Sequence, residues 1–560
     1  MAGPTDFKIA TASPQTKPKL RKSEASSRIF DHGVQESAIG LTMSHEWSKW
    51  MGVLLKASEL LLGKLGDEPK RTRTDLINPG SRLNVCVPVS REIVADPGEW
   101  VRPLGCLEMF MSVGGDYGTL NTVQGVWLSS TRPILPEEVR QALTIVARQT
   151  QVLQLCVEWR GLWPWFRRMK VLLVPFKVDH GDVMSVYCKI QSLPYQMSRG
   201  PLWRARLVPL PPRSPGRYEA VLVIAAHHCI TDGLTNMQVC RETLQILNAI
   251  MSGRQHKVLP RLVIPSLAEE QLTLLDWLCA FKYFCRKIYG SLFTNYNTKL
   301  YFNGALQQPA TRLAITKVLH KEYTVETTRL LLLRCKEARV TVHSCIVAAV
   351  NLALLSVAQK NSTNQLEEAL INGVNCINMR RYYPQEYKES PGCHISLEEQ
   401  ERLIRSSDAS SKENFWCLAN RLNGDLRKSL NVDKIPIKNY PLYRLSTLIL
   451  HINYLLTSLG RKHRTDSHFV TTNMGDLRDL LPGKYDGPVE ITNLLRSVSS
   501  ELTGNPFTVV FHTFLERFMI SLDYYTTKVT DEVAELFFST LTNYITNIAH
   551  HGTVLVTTGQ

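Results

Sequence analysis

The sequence predicts a mixed α/β protein, α+β in character, built as two lobes. Three observations carry this. Between residues 118 and 251 the patterns run strand, helix, several strands and helix again, as in a lobe where a sheet is flanked by helices. From residue 324 to 551 a second set of helical and strand-like segments starts afresh. The chain, with 560 residues of which 44% are hydrophobic and 21% charged, has the length of about three to four ordinary domains, or two large ones sharing an interface. That composition excludes a wholly disordered, collagen-like or multi-span membrane chain.

Residues 1–42 are rich in Pro, Ser, Thr and Lys and read as a disordered tail. Residues 43–95 read as an extension. A helix over 44–66 carries an apolar stripe through Trp47, Met51, Leu54, Leu55 and Leu62, and a basic linker follows. The first lobe is expected over 96–265. There 118–130 reads as a strand, and 135–150 as a helix that Pro136 can start from its first turn. VLQLCVEWR and VLLVPFKV read as strands, and 202–210 alternates as a half-buried strand does. The unbroken apolar run opening 218–233 suits a central strand buried on both faces, and 234–251 is an amphipathic helix. The second lobe is expected over 266–560, with helices at 324–340, 342–360 and 413–430. Strands are expected at 371–381 and 467–477, then a hairpin over 505–527 and a closing helix over 531–551.

No window holds 18 uninterrupted apolar residues, so no transmembrane helix is expected. The stretch 272–293 is interrupted by Asp276, Lys282, Arg286 and Lys287, a pattern that allows a buried or interfacial helix. Thirteen cysteines, an odd number with no Cys-x-x-Cys pair, predict buried free thiols in a reduced compartment and no zinc framework. The net charge of +15 favours anionic partners without choosing among them.

The sharpest signal is His227-His228-Cys229-Ile230-Thr231-Asp232-Gly233, where a buried strand ends and a helix begins. A histidine held there can act as a general base, since its ordinary pKa near 6.5 leaves much of it neutral at pH 7. An Asp four residues on can fix the turn without touching substrate, and Gly233 permits backbone that other residues resist. Taken alone, the pair also suits a structural role or metal ligation. Adjacent histidines leaving a strand point to opposite faces, however, so no metal is expected.

HHCITDG resembles the HHxxxDG signature of the CoA-dependent acyltransferase superfamily. That group includes chloramphenicol acetyltransferase, condensation domains of nonribosomal peptide synthetases, plant acyl-CoA transferases, yeast-type alcohol O-acetyltransferases and mycobacterial polyketide-associated acyltransferases. Other stretches are similar in the same order. VRPLGCLEMF (101–110) resembles an R-x-L-x-x-x-E opening, and GPLWRARLV (200–208) the strand before the motif. VTVHSCIVAAVNLAL (340–354) and GVNCINMRRYYP (373–384) resemble a helix and an Arg-terminated strand of the second lobe. TTNMGDL (471–477) resembles an S-N-x-G segment.

The resemblance covers about residues 100–550. It implies two chloramphenicol-acetyltransferase-like lobes, each a mixed sheet flanked by helices, with a tunnel between them. His228 would be the general base, Asp232 structural, His227 a packing or orienting residue, and no acyl-enzyme would form. Acyl-CoA would be co-substrate, with no bound cofactor, and an alcohol or amine the acceptor. Arg380 and Arg381 would meet CoA phosphates, and Asn473 and Gly475 would contact substrate. A cytoplasmic monomer with no nucleic-acid partner is expected, with peripheral lipid contact through 272–293 left open. Two departures stand out. Gln154 occupies the place of an Arg that pairs with the motif Asp in many relatives, leaving Arg204, Arg206 or Arg380 to replace it, and the plant-type D-F-G-W-G motif is absent. The alternatives are a condensation-like domain fed by a carrier-protein thioester and an inactive binding protein on the same fold.

Overall fold

A computed structural model describes residues 91–93, 98–161, 163–212, 214–255, 260–293, 315–360, 366–458, 467–499, 505–526 and 528–555. The tail, helix and linker expected before residue 91 lie outside the described residues.

In the first lobe, the first strand of the main sheet in chain order is β1 (Asn121–Ser130), and helix α1 (Pro136–Gln149) follows, opened by Pro136 from its first turn. Then come β2 (Phe176–Val178), β3 (Trp203–Leu210), β4 (Tyr218–His227) and α2 (Gly233–Met251). Helix α3 (Leu274–Phe293) leads toward the second lobe. That lobe contains β5 (Thr316–Glu322), α4 (Val325–Glu337), α5 (Val342–Lys360), β6 (Glu368–Asn378), β7 (Ile395–Arg405) and α6 (Lys412–Lys428). Helix α7 (Tyr440–Ser458), β8 (Phe469–Asp476), β9 (Val489–Val498), the hairpin β10 (Phe507–Phe514) and β11 (Arg517–Tyr525), and α8 (Asp531–His551) complete the chain's described elements.

Two mixed sheets result, in the orders β9-β1-β4-β3-β2 and β5-β11-β10-β8-β6-β7. This is the expected two-lobed architecture, with one feature that the sequence hid. Strand β9 comes from the half of the chain expected to form the second lobe, yet it pairs antiparallel with β1 of the first. The chain then returns to the second sheet for β10 and β11. A bulge between Ile491 and Asn493 breaks the period-two pattern, which is why no strand was legible there.

Central strand β4 is buried along AVLVIAAH, between β1 and β3. Its side chains enter two cores: Leu222 and Ile224 face α1 and α2, while Val221 and Val223 face Tyr187 and Ile190. The second sheet packs on α5 and α8 through Ile346, Val350, Phe507, Phe511, Phe537 and Ile545. Among the described residues α5 is the one helix long and apolar enough to cross a membrane, and most of it is buried in this core.

Several segments differ in detail. Residues 151–154 form a 3₁₀ turn, so the strand expected from Val152 starts at Leu155. The strand expected over 171–178 is two short ones, interrupted before Phe176 by Pro175. Strand β7 is a sheet edge whose outward Glu399, Glu401 and Arg405 disguised its alternation. Helix α3 forms but is not buried: Leu275, Leu278, Phe281 and Tyr283 are exposed, and Ala280 is enclosed. Every described cysteine is free, with Cys279, Cys285 and Cys417 exposed rather than buried.

Candidate active site

The apolar run of β4 stops at His227, and a tight turn over 228–230 follows. The turn is tied to the start of β1, where the His228 N–H donates to the Leu120 carbonyl at 2.9 Å. Asp232 then caps α2, its Oδ1 accepting the Thr235 N–H at 2.9 Å, which answers one of the four unsatisfied donors of a helix start.

The two histidines diverge. His227 is wholly buried, its Nδ1 accepts the Cys229 N–H at 3.2 Å, and its ring meets Tyr195 edge-on at 5.9 Å. Burial, then the His228 and Arg204 charges, hold its pKa down to about 3. His228 Nδ1 lies 2.8 Å from the Thr231 carbonyl oxygen. A carbonyl only accepts, so Nδ1 carries the proton and Nε2 keeps its lone pair. Nε2 makes no hydrogen bond among the described residues. Burial lowers the His228 pKa and the nearby Asp232 charge pulls the other way. The ring is therefore a neutral base at pH 7, with negative charge near enough to favour the imidazolium once formed.

Asp232 is the centre of a closed network. Arg380 Nη1 donates to Oδ2 at 2.6 Å and Nη2 to Oδ1 at 3.3 Å, while the His394 N–H donates to Oδ2 at 2.9 Å. Arg380 Nη2 also reaches Thr235 Oγ1 and the Ser390 carbonyl, and Nε reaches that carbonyl too. Thr235 Oγ1 in turn exchanges hydrogen bonds with Gly392. Both charges are enclosed. Burial alone would raise the Asp232 pKa, but the Arg380 charge and hydrogen bonds outweigh it and bring it to about 2. The motif loop of the first lobe is thus bolted to segment 390–394 of the second. Gly392, at φ +144°, has no room for a side chain, since a Cβ there would stand 2.6 Å from His394 Nε2.

This settles which cation replaces the missing arginine. Gln154 caps α1 instead, donating to the Ala147 and Arg148 carbonyls. Arg204 is spent on the Leu193 and Pro194 carbonyls and the Tyr195 ring, and Arg206 pairs with Asp179. The expectation that Arg380 meets CoA phosphates is corrected: its guanidinium is buried and fully engaged with Asp232, Thr235 and Ser390. Arg381 is exposed and lines a cavity of about 280 Å³ with His343, Cys376, Asn378, Leu426 and Asn473. Asn473 also accepts the Gly475 N–H at 2.7 Å, while Gly475 stands exposed at φ +67° with open space where a Cβ would be. The structure thus joins Arg381 and Asn473 at one cavity and leaves Gly475 at the irregularity in β8 between Asn473 and Asp476.

Sequence reasoning missed Thr235, Cys393 and His394. Cys393 Sγ lies 3.6 Å from His228 Nδ1. Arg102 and Glu108, the ends of the R-x-L-x-x-x-E stretch, form a two-pronged ion pair at 2.7 Å. With Tyr383, Cys393, His394 and Tyr440 they line a water-sized cavity of about 10 Å³. The two ends of the motif close on each other and share this cavity with the 393–394 segment, a proximity that only the tertiary structure reveals. Among the described residues no three His, Cys, Asp or Glu are grouped to hold a metal.

No protein-family model and no curated protein sequence matches the chain. Solved structures do match in fold. Trichothecene 15-O-acetyltransferase TRI3 from Fusarium sporotrichioides superposes with a TM-score of 0.60 at 11% identity, over 81% of this chain and 98% of its own. The condensation domain of the monacolin K polyketide synthase MokA gives 0.56 at 11% identity, over 82% and 99%. Polyketide synthase associated protein 5 from Mycobacterium tuberculosis gives 0.52 at 14% identity, over 81% and 100%. The chain has the two-lobed fold shared by such acetyltransferases and condensation domains.

Proposed function

We propose that the protein transfers an acyl group from acyl-CoA to an alcohol or amine, with His228 as general base. The observation that carries this is the Nδ1 contact with the Thr231 carbonyl, which leaves Nε2 unprotonated and without a partner among the described residues. The acceptor O–H or N–H gives its proton to Nε2 as its oxygen or nitrogen bonds to the thioester carbonyl. The tetrahedral intermediate collapses, the C–S bond breaks, and the imidazolium returns the proton to the CoA sulfur. Asp232 holds the loop and favours the imidazolium without touching substrate. Arg381, beside the cavity, supplies a charge for CoA phosphates. The name of the TRI3 neighbour, an O-acetyltransferase, supports this reading. The buried free thiols support a reducing, cytoplasmic setting.

A second reading is donor delivery by a carrier protein, favoured by the fold match to condensation domains. The test is free-CoA release from acyl-CoA donors of two to sixteen carbons with pooled alcohols and amines. His228→Ala is expected to lose about 10²–10⁴-fold in kcat while its unfolding transition is unchanged. Full turnover by the variant would remove the mechanism. Activity with carrier-bound but not CoA-bound acyl groups would select the second reading. Because burial lowers the His228 pKa, the acid limb of kcat/KM is expected below pH 6.5.

A further inference from the structure

Where β9 crosses between the lobes, the described residues leave a group of buried polar atoms without partners. Arg496 Nε and Nη1, Gln124 Oε1, both ring nitrogens of His512 and Asp523 Oδ1 are all enclosed and make no hydrogen bond. Buried polar groups are nearly always satisfied, so such a concentration calls for a missing partner. The atoms share one neighbourhood. Gln124 and Arg496 are opposite one another in the β1–β9 register, and the Arg496 charge acts on both His512 and Asp523. Asp523 does not neutralise Arg496: the two form no ion pair, Oδ2 of Asp523 accepts the Val498 N–H at 2.8 Å, and burial pushes its pKa well above the carboxylate range.

The guanidinium is aimed at the start of α2. Its Nη2 lies 3.1 Å from where a Cβ on Gly233 would stand, and Met474 Sδ lies 2.5 Å from the same point. Gly233, Leu234 and Met474, which surround the guanidinium at this helix end, are only partly buried. Cys376 ties the place to the larger cavity, since it lines that cavity and also feels the Arg496 charge.

We propose that Arg496 and the first turn of α2 form a recognition site for the carboxylate of the acyl acceptor, so that the protein selects a hydroxy or amino acid. A guanidinium offers two parallel N–H donors that match a carboxylate. Arg496 is the single charged cation of the group, so one negative charge balances it; a phosphate dianion would leave charge buried without compensation. Arg496 here is a specificity residue that does not act in the proton transfer. The inference rests on the acyl-transfer reading for what the acceptor does next, but binding tests it separately.

The experiment is calorimetric titration of the full chain, and of its His228→Ala form, with a panel of hydroxy and amino acids, each beside its primary amide. Carboxylates are expected to bind both forms and the amides at least about tenfold more weakly. Arg496→Gln is expected to abolish that preference without lowering Tm, and Arg496→Lys to keep part of it. Carboxylate binding that needs Arg496, without CoA turnover, would uphold the site and remove only the acyl-transfer reading. Turnover of neutral acceptors with no carboxylate preference would overturn the site. A lowered Tm in both Arg496 variants without carboxylate binding by the parent would mark Arg496 as a structural group, and would overturn it too.

Discussion

Arg380 and Arg496 are both enclosed guanidiniums beside the first turn of α2, one reaching Asp232 and the other approaching Gly233. Arg380 donates to a carboxylate, a hydroxyl and a carbonyl, and every partner is itself held. Arg496 has Nε and Nη1 buried with no partner among the described residues, and burial brings its pKa down to about 10. The first is a completed interaction between lobes. The second is a charge retained at a cost in stability, as expected of a group that waits for a ligand.

The contrast can be broken most strongly at the satisfied pair. Arg380→Ala leaves Asp232 buried and uncompensated, and an expected loss of about 3–5 kcal/mol is to be read from denaturant unfolding. Arg496→Gln removes an uncompensated charge and is expected to lose no stability. Equal losses in the two variants would erase the distinction between the two guanidiniums. Acid provides the next largest effect. The folded pKa of Asp232 is about 2 against an ordinary 3.8, so its contribution is complete above 3.8 and disappears as pH falls through about 2. That contribution is about 2 kcal/mol, and Asp232→Asn should flatten this part of the stability–pH curve.

A third substitution tests the shared helix start. The Cβ of Gly233→Ala would meet Met474 Sδ at 2.5 Å and Arg496 Nη2 at 3.1 Å. The thioether can move aside, so the expected cost is about 1–2 kcal/mol. Loss of carboxylate preference should accompany it, while the Asp232–Arg380 pair is kept. The smallest effect is at Gln154→Ala, which removes two hydrogen bonds to the end of α1 and should cost about 1 kcal/mol. Its turnover is expected to be unchanged, because Asp232 draws on Arg380. A large loss of kcat there would return Gln154 to the site.

Much of the fold was legible because the period of apolar residues survives folding. The run before His227 marked a strand buried on both faces, and β4 is that strand. The periodic stretches after Gly233, Val342 and Asp531 likewise became α2, α5 and α8. The edge strand β7 and the bulged β9 escaped, one because its outer face carries long charged side chains and the other because a bulge shifts its alternation. At the site, His228 and Asp232 could be read from local order, since a strand end, a capping Asp and a Gly are neighbours in the chain.

By itself, then, the sequence determined the two-lobed fold class, the strand–turn–helix that presents His228, and the residue types able to hold that turn. Only the tertiary structure decided that Arg380 serves Asp232, that Arg381 is left at the cavity, and that Arg496 crosses over to stand unpaired beside Gly233. Periodicity and capping act over a few residues and leave their mark in local order. A charge finds its partner through space: Arg380 lies 148 residues from Asp232, and any of several arginines could have served until the lobes were packed.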